Sequence, residues 1–306
     1  MEDSLRFAAV DIGSNAVRLF FSYVFETQKG PVFKKASLVR LPIRLGEDSF
    51  HGKPISEARV NALIEAMQAF THLKTAYQVK NFRVCATSAM RDAQNGAEVI
   101  KKVKAKSGIE IELIDGEEEA ALIYENHIAE KLDVNFSYLY MDVGGGSTEY
   151  TLFENGKKVD SRSFNIGTIR LKEELVEQAS WDEMGEWINN VKGKYSPKYI
   201  IGSGGNINTV FKLSMLKPMQ PLSVVKVRKW RMDLNKLTFD EMIADLGLRP
   251  DRADVIIPAL DLFAFSARQA GVSHFIVPKV GLVDGIVHQL YNEHLEEKAL
   301  SAQIKD

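Results

Sequence analysis

Apolar positions in this chain recur at two periods, and the changes from one period to the other mark out strands and helices. Residues 7–12 form a short apolar run that closes on Asp11 and a Gly-Ser turn, which predicts a buried strand. Residues 17–25 are aromatic and β-branched and read as a returning strand, and residues 32–41 follow the break at Gly30-Pro31 as a third. Ser56 then opens a helix in which Val60, Leu63, Ile64, Met67, Phe70 and Leu73 recur at three and four residues, giving one apolar stripe. A strand at 83–87, a helix near 94–106, a strand at 109–114 and a helix at 117–131 complete the order βββαβαβα.

The second half starts again in the same way. Residues 138–143 are an apolar strand running into a glycine cluster, residues 149–153 return from it, and Asn155-Gly156 signals a tight hairpin into a third strand at 158–166. Helices are predicted near 168–178 and 181–191, then a strand at 199–202 and a glycine-started helix reaching Met215. The remainder reads mainly helical (240–246, 252–270 and 283–296) with one strand at 274–277. Ala9-Val10-Asp11-Ile12-Gly13-Ser14 is echoed by Tyr140-Met141-Asp142-Val143-Gly144-Gly145, each between a first strand and its return. That echo predicts two α/β domains of one architecture, with ligand in the crevice where their loops meet.

Composition changes this picture little. The 306 residues suit two domains of ordinary size, and 45% hydrophobic with 26% charged residues is a globular balance. Apolar stretches such as 19–25 and 255–265 are too short or too interrupted to span a bilayer, so no membrane association is expected. Glu2, Asp3 and Arg6 precede the first apolar run, which argues against a signal peptide. The single cysteine, Cys85, rules out an internal disulfide, and a cytoplasmic location is the expectation. A net charge of −2 does not point to nucleic acid. Local basic clusters occur at Lys34, Lys35, Arg40 and Arg44, at Lys101, Lys102, Lys104 and Lys106, and at Lys226, Arg228, Lys229 and Arg231. The second lies on an amphipathic helix and reads as a solvated face.

Candidate chemistry concentrates in the turns. Gly144, Gly145 and Gly146 follow an apolar strand, where three glycines are costly unless backbone N–H groups must turn toward a ligand. Such nests of donors bind phosphate oxygens, and the Ser147 and Thr148 hydroxyls add to them. Asp142 and Glu149 bracket the turn, and two carboxylates beside an anion site call for a hard cation such as Mg²⁺. Asp11, Ser14 and Asn15 form a smaller version of the same loop. Gly204 and Gly205 open a helix, where free N–H groups and the helix dipole favour anions. Arg91 follows a strand and offers a planar guanidinium to phosphate. Residues 115–120 place Glu117, Glu118 and Glu119 in a first helical turn, where acids routinely complement the dipole and one of them could face a site.

Several of these segments, as DIGSNAVRL (11–19), TSAMRDAQN (87–95), GEEEA (116–120), DVGGGSTE (142–149), NIGTIRLKE (165–173), GSGGN (202–206), RADVI (252–256) and VGLVDGI (280–286), resemble the exopolyphosphatase and guanosine pentaphosphate phosphatase family. The resemblance implies two ribonuclease-H-like domains of the actin and hexokinase superfamily with a cleft between them. It places them at 1–124 and 125–285, with a helix at about 286–306 returning to the first. It implies a hydrolase that releases terminal phosphate from inorganic polyphosphate or the 5′ phosphate of guanosine pentaphosphate. In that scheme Glu119 positions or deprotonates water, Asp142 and Glu149 act in catalysis, and Asp11, Asp142 and Glu149 hold Mg²⁺ or another divalent cation. Ser14, Asn15, Arg91, Gly144, Gly145, Gly146, Ser147, Gly204 and Gly205 fall at phosphate contacts. A homodimer would be ordinary for the family.

The chain departs from the family pattern at Asn206-Ile207-Asn208, at Ala259, and within residues 281–285. With no His-Asp pair, the extra helical domain of longer members is not expected. A sugar kinase or ATPase of the same superfamily, and a non-catalytic phosphate or alarmone sensor, are the alternatives. The first lacks a recognisable adenine pocket; the second would gain nothing from Glu119, Asp142 and Glu149.

Overall fold

The computed structural model describes residues 4–124 and 133–303, which divide into two compact units, Met1–Asn126 with Leu282–Asp306 and His127–Gly281. In the first unit β1 (Leu5–Ile12), β2 (Val17–Thr27) and β3 (Gly30–Leu41) form an antiparallel meander, followed by α1 (Gly46–Ser49) and α2 (Glu57–Ala76). Then come β4 (Asn81–Ala86), α3 (Ser88–Asp92), α4 (Gly96–Ser107), β5 (Glu112–Leu113) and α5 (Gly116–Tyr124). The sheet order is β3-β2-β1-β4-β5, with β4 parallel to both β1 and β5.

Pattern explains position. Residues 7–12 of β1 are all buried, as a central strand covered on both faces requires, whereas β3 at the edge carries exposed Lys34 and Lys35. The stripe Val60, Leu63, Ala66, Met67 and Phe70 is the buried face of α2. The Lys101–Lys106 cluster is exposed on α4, with Lys102 paired to Glu98 at 2.8 Å and Lys104 to Glu110 at 2.7 Å.

The second unit repeats the plan. Here β6 (Tyr138–Val143), β7 (Thr148–Glu154) and β8 (Lys157–Phe164) form the meander, joined at the expected hairpin where Asn155 and Gly156 take φ +52° and +74°. There follow α6 (Thr168–Lys172), α7 (Gln178–Tyr195), β9 (Tyr199–Ser203), α8 (Gly205–Leu213), β10 (Leu222–Ser223), α9 (Val224–Leu234), α10 (Phe239–Ala244), α11 (Pro250–Ala253), α12 (Ile256–Ala270) and β11 (His274–Ile276). Read from its meander end, the sheet is β8-β7-β6-β9-β11, with β10 added as an antiparallel edge strand. Apart from that strand, order and strand directions match the first sheet. Even the irregularities correspond, one between Phe21 and Ser22, the other between Leu152 and Phe153.

The helix α13 (Leu282–Gln303) belongs to the first unit and buries Ile286, Val287 and Leu290 there, with Tyr291 edge-on to Phe7 of β1 at 6.2 Å. Among the described residues no helix is long and apolar enough to cross a membrane.

Two helix expectations are corrected. The run 168–178 ends as a helix at Lys172, because the chain turns through Glu174 at φ +55° before α7 starts. The run 252–270 is split: Pro258 has no amide, and its ring would clash with the carbonyl of Asp254 in a continuous helix, so the chain breaks at Val255 and restarts with Pro258 in the first turn of α12. The helix expected over 117–131 is seen as far as Tyr124; residues 125–131 lie outside the described residues.

Candidate active-site loops

In the second unit Asp142 and Glu149 are direct cross-strand partners at the mouth of the β6–β7 turn. Their side chains therefore share one face of the sheet. Glu149 is only 2% exposed and its Oε1 accepts a bond from Ser163 Oγ at 3.0 Å. The turn closes through Gly144 N–H to the Ser147 carbonyl at 3.0 Å. Behind it, α6 donates into the loop: Thr168 N–H to Gly144 O at 3.0 Å, Ile169 N–H to Gly145 O at 2.8 Å, and Arg170 Nε to Gly146 O at 2.8 Å. With the three carbonyls turned back, the amides of Gly145 and Gly146 meet no hydrogen-bond acceptor among the described residues. Such amides are costly to leave unpaired and suit an anion.

Two glycines make this geometry possible. A Cβ on Gly167 would stand 2.5 Å from Gly145 and Gly146 backbone atoms, so only glycine lets α6 begin against the loop. Gly204 holds φ +102°, and a Cβ there would stand 2.9 Å from the Val143 carbonyl. Gly204 caps α8 and Gly205 is its first residue, so the third glycine loop abuts the strand end that carries Asp142. Buried Arg252 donates to Asn206 Oδ1 at 2.8 Å and braces that loop.

The first unit builds its loop on the same logic. Gly13 N–H closes the turn on the Ala16 carbonyl at 3.2 Å, while Gly46 and Arg44 amides donate to the Ser14 and Asn15 carbonyls at 2.9 and 3.2 Å. Ser14 and Asn15 are buried, and Ser14 Oγ lies 3.0 Å from Ser88 Oγ, tying the loop to α3. Asp11 faces Arg18 across β1–β2 and accepts from its Nη1 at 2.6 Å. Burial raises the Asp11 carboxyl above the usual aspartate range, against the opposing pull of Arg18 and Arg40.

Arg91 lies in the last turn of α3 with its Nη1 donating to the Ile114 carbonyl at 3.0 Å, so part of the guanidinium anchors the strand end before α5. Asp115 Oδ1 accepts from the Glu117 and Glu118 amides at 3.0 and 2.8 Å and so starts α5. Within the acidic triplet, Glu118 pairs with Arg83 at 2.9 Å, Glu117 is exposed, and Glu119 is half-buried.

Sequence reasoning gave no role to Gly167, Arg170 or Arg252. Gly167 and Arg170 lie in NIGTIRLKE and Arg252 opens RADVI, yet what each supports lies on a distant stretch of chain and is invisible to local pattern.

The fold and these loops define an α/β protein with two sheets of one topology that each present a glycine turn behind an acidic strand end. The chain belongs to the Ppx/GppA phosphatase family, whose model matches residues 24–294. It is 29% identical over 281 residues to a bifunctional 3-dehydroquinate synthase/phosphatase of Fusobacterium nucleatum, covering 82% of this chain and 41% of that protein. It is 22% identical to the guanosine-5′-triphosphate,3′-diphosphate pyrophosphatase of Photobacterium profundum over 94% of this chain and 59% of the relative. With exopolyphosphatase 2 of Mycobacterium tuberculosis the match is 26%, over 93% and 98%. The chain thus spans about half the length of several relatives and nearly all of another. Among solved structures, an Aquifex aeolicus family member superposes with TM-score 0.76 at 24% identity, over 95% of this chain and 99% of that one. An exopolyphosphatase from Cytophaga hutchinsonii gives 0.80 at 21%, over 94% and 98%.

Proposed function

We propose that this chain is a divalent-metal-dependent phosphoanhydride hydrolase. It releases terminal orthophosphate from inorganic polyphosphate, or the 5′ phosphate of guanosine pentaphosphate. Family membership supports the reaction class. The observation that carries the reading is the loop in which the Gly145 and Gly146 amides meet no acceptor among the described residues while Asp142 and Glu149 stand paired at its base.

The donor set suits the cation. Mg²⁺ prefers hard oxygens, keeps several waters and is commonly held by one or two carboxylates with substrate phosphate. Among the described residues no group of three or more His, Cys, Asp or Glu is gathered; the opposed pair Asp142 and Glu149 is the size of set such a site uses, and Asp11 is the third acid assigned to it. Bound there, the cation supplies charge neutralisation to the phosphate oxygens.

The chain's own groups do the rest. The Gly144–Gly146 backbone and the Ser147 hydroxyl orient phosphate oxygens, as do Ser14, Asn15, Arg91, Gly204 and Gly205. Glu119 accepts the proton of the attacking water. Positioning and electrostatic stabilisation of this kind account for most of the catalysis of phosphoryl transfer.

The test is phosphate release, with Mg²⁺, from long polyphosphate, short polyphosphate, guanosine pentaphosphate and ATP. Rapid release from either of the first two classes or from the pentaphosphate is expected. Tight binding of all four without turnover, or transfer from ATP to a sugar, contradicts the proposal.

A further inference from the structure

The second unit carries an open pocket of about 690 Å³ that the glycine loops do not line. Its walls come from three helices: Gln178 and Trp181 of α7, Arg228 of α9, and Asp261, Phe265 and Arg268 of α12. On α12 these fall at i, i+4 and i+7, a single stripe. The other face of α12 is turned inward, where Phe263 is buried and Ser266 Oγ meets the Tyr150 hydroxyl at 2.6 Å.

The lining has two parts. One is aromatic: Trp181 and Phe265 meet edge to face with centroids 4.7 Å apart, and both stay partly exposed. The other is cationic. Arg228 and Arg268 are exposed and form no ion pair among the described residues. Their basic neighbours are engaged: Arg231 holds Asp261 through two bonds of 2.8 and 3.2 Å, and Lys229 bonds Asp233 at 2.5 Å. Asp261, the one carboxylate in the wall among the described residues, is therefore already matched. Arg268 lies over the Phe265 ring with its guanidinium carbon 5.3 Å from the centroid. The basic cluster of α9 is thus not one solvated face: Arg228 is set apart from it by what it lines.

We propose that this pocket binds a nucleoside phosphate, with the base against Trp181 and Phe265 and the phosphate between Arg228 and Arg268. A flat ring with an anionic tail satisfies both parts of the lining. A bare polyphosphate chain satisfies only one, since it would leave the two rings unused and needs a longer run of cations than two. The volume falls in the range of small-molecule sites, roughly 300–1,000 Å³. Guanidinium groups bind phosphate bidentately, and stacking on an aromatic face tolerates any base, so the lining selects nucleotides as a class rather than one base. The site does not depend on the proposed hydrolase activity, because none of its residues belongs to the loops assigned to that reaction.

Photolabelling tests it. The full chain is irradiated with 8-azido-ATP or 8-azido-GTP in EDTA, and labelled peptides are mapped. Label is expected on the segments containing Trp181 or Phe265, and excess ATP or GTP should suppress it. The double variant Arg228→Gln/Arg268→Gln, with an unchanged melting temperature and unchanged phosphate release, should label roughly tenfold less or worse, the loss expected for charge-assisted hydrogen bonds. Arg228→Gln alone should move in the same direction. Label absent from both segments, label that survives the double variant, or suppression by inorganic tripolyphosphate as effective as by nucleotide overturns the proposal.

Discussion

Gly167 packs so closely on Gly145 that a Cβ at residue 167 would lie 2.5 Å from the Gly145 carbonyl carbon and oxygen. This approach lets the Thr168 and Ile169 amides hold the loop carbonyls from behind and leaves the loop amides facing the other way. Gly167→Ala should therefore destabilise the second unit by about 1–3 kcal/mol, the range for forced overpacking, and slow phosphate release. Gly193→Ala is the control: that glycine is exposed in α7 with nothing within 4 Å of its Cβ position. Alanine there should be neutral or add up to about 1 kcal/mol. Denaturant titrations of both variants check the contrast.

Glu149 separates charge from hydrogen bonding. Glu149→Gln keeps an oxygen for Ser163 Oγ to donate to but removes the negative charge. The melting temperature should change little, while Mg²⁺-supported phosphate release should fall by roughly a hundredfold or more, as expected when a charge that holds the cation is lost. Loss of both together would assign Glu149 to stability instead.

Asp48 gives the first unit a predictable response to acid. Burial works against its charge, but the Ser56 N–H and Oγ at 2.9 and 2.8 Å and Arg59 at 2.6 Å outweigh it and hold the carboxyl below the usual aspartate range. The folded value lies below the unfolded one, so this stabilisation is fully present above the ordinary carboxyl range and is lost as pH falls through the folded value. Asp48→Asn should cost about 1–3 kcal/mol at neutral pH, and the difference from wild type should shrink as pH falls below the ordinary aspartate range. Urea titrations at several pH values measure it.

Cys85 reports on the opening of β4. It is fully buried, and burial pushes its thiol up to about 12. Ellman's reagent at pH 8 should find no thiol in the native protein and one per chain in guanidinium. Rapid native labelling would mean that the sheet opens around β4 without global unfolding.

Much of this was legible in the sequence because it is local. β1 and β6 show as apolar runs, Asn155-Gly156 dictates its turn, and the glycine loops are conspicuous because glycine is costly unless the backbone needs it. What was not legible depends on pairs far apart in the chain. Nothing near Gly167 says that Gly145 will press against it, and nothing near Arg252 says that it will bond Asn206. The end of α6 and the break before α12 are intermediate cases. Pro258 signalled the second break, but the apolar periodicity running through residues 252–270 masked it. The basic residues of α9 read as a charge cluster, and only the packing of three helices separates Arg228 from its neighbours.

The central claim is that Glu119 activates water for phosphoanhydride hydrolysis. It is the half-buried member of an acidic triplet whose neighbour Glu118 is held by Arg83. The direct measurement is orthophosphate release from polyphosphate and guanosine pentaphosphate, with Mg²⁺, by Glu119→Gln beside wild type at matched melting temperature. A fall of about 10²–10⁴-fold with at most a small change in KM is predicted, the usual contribution of a general base. Release at the wild-type rate by the glutamine variant contradicts the account.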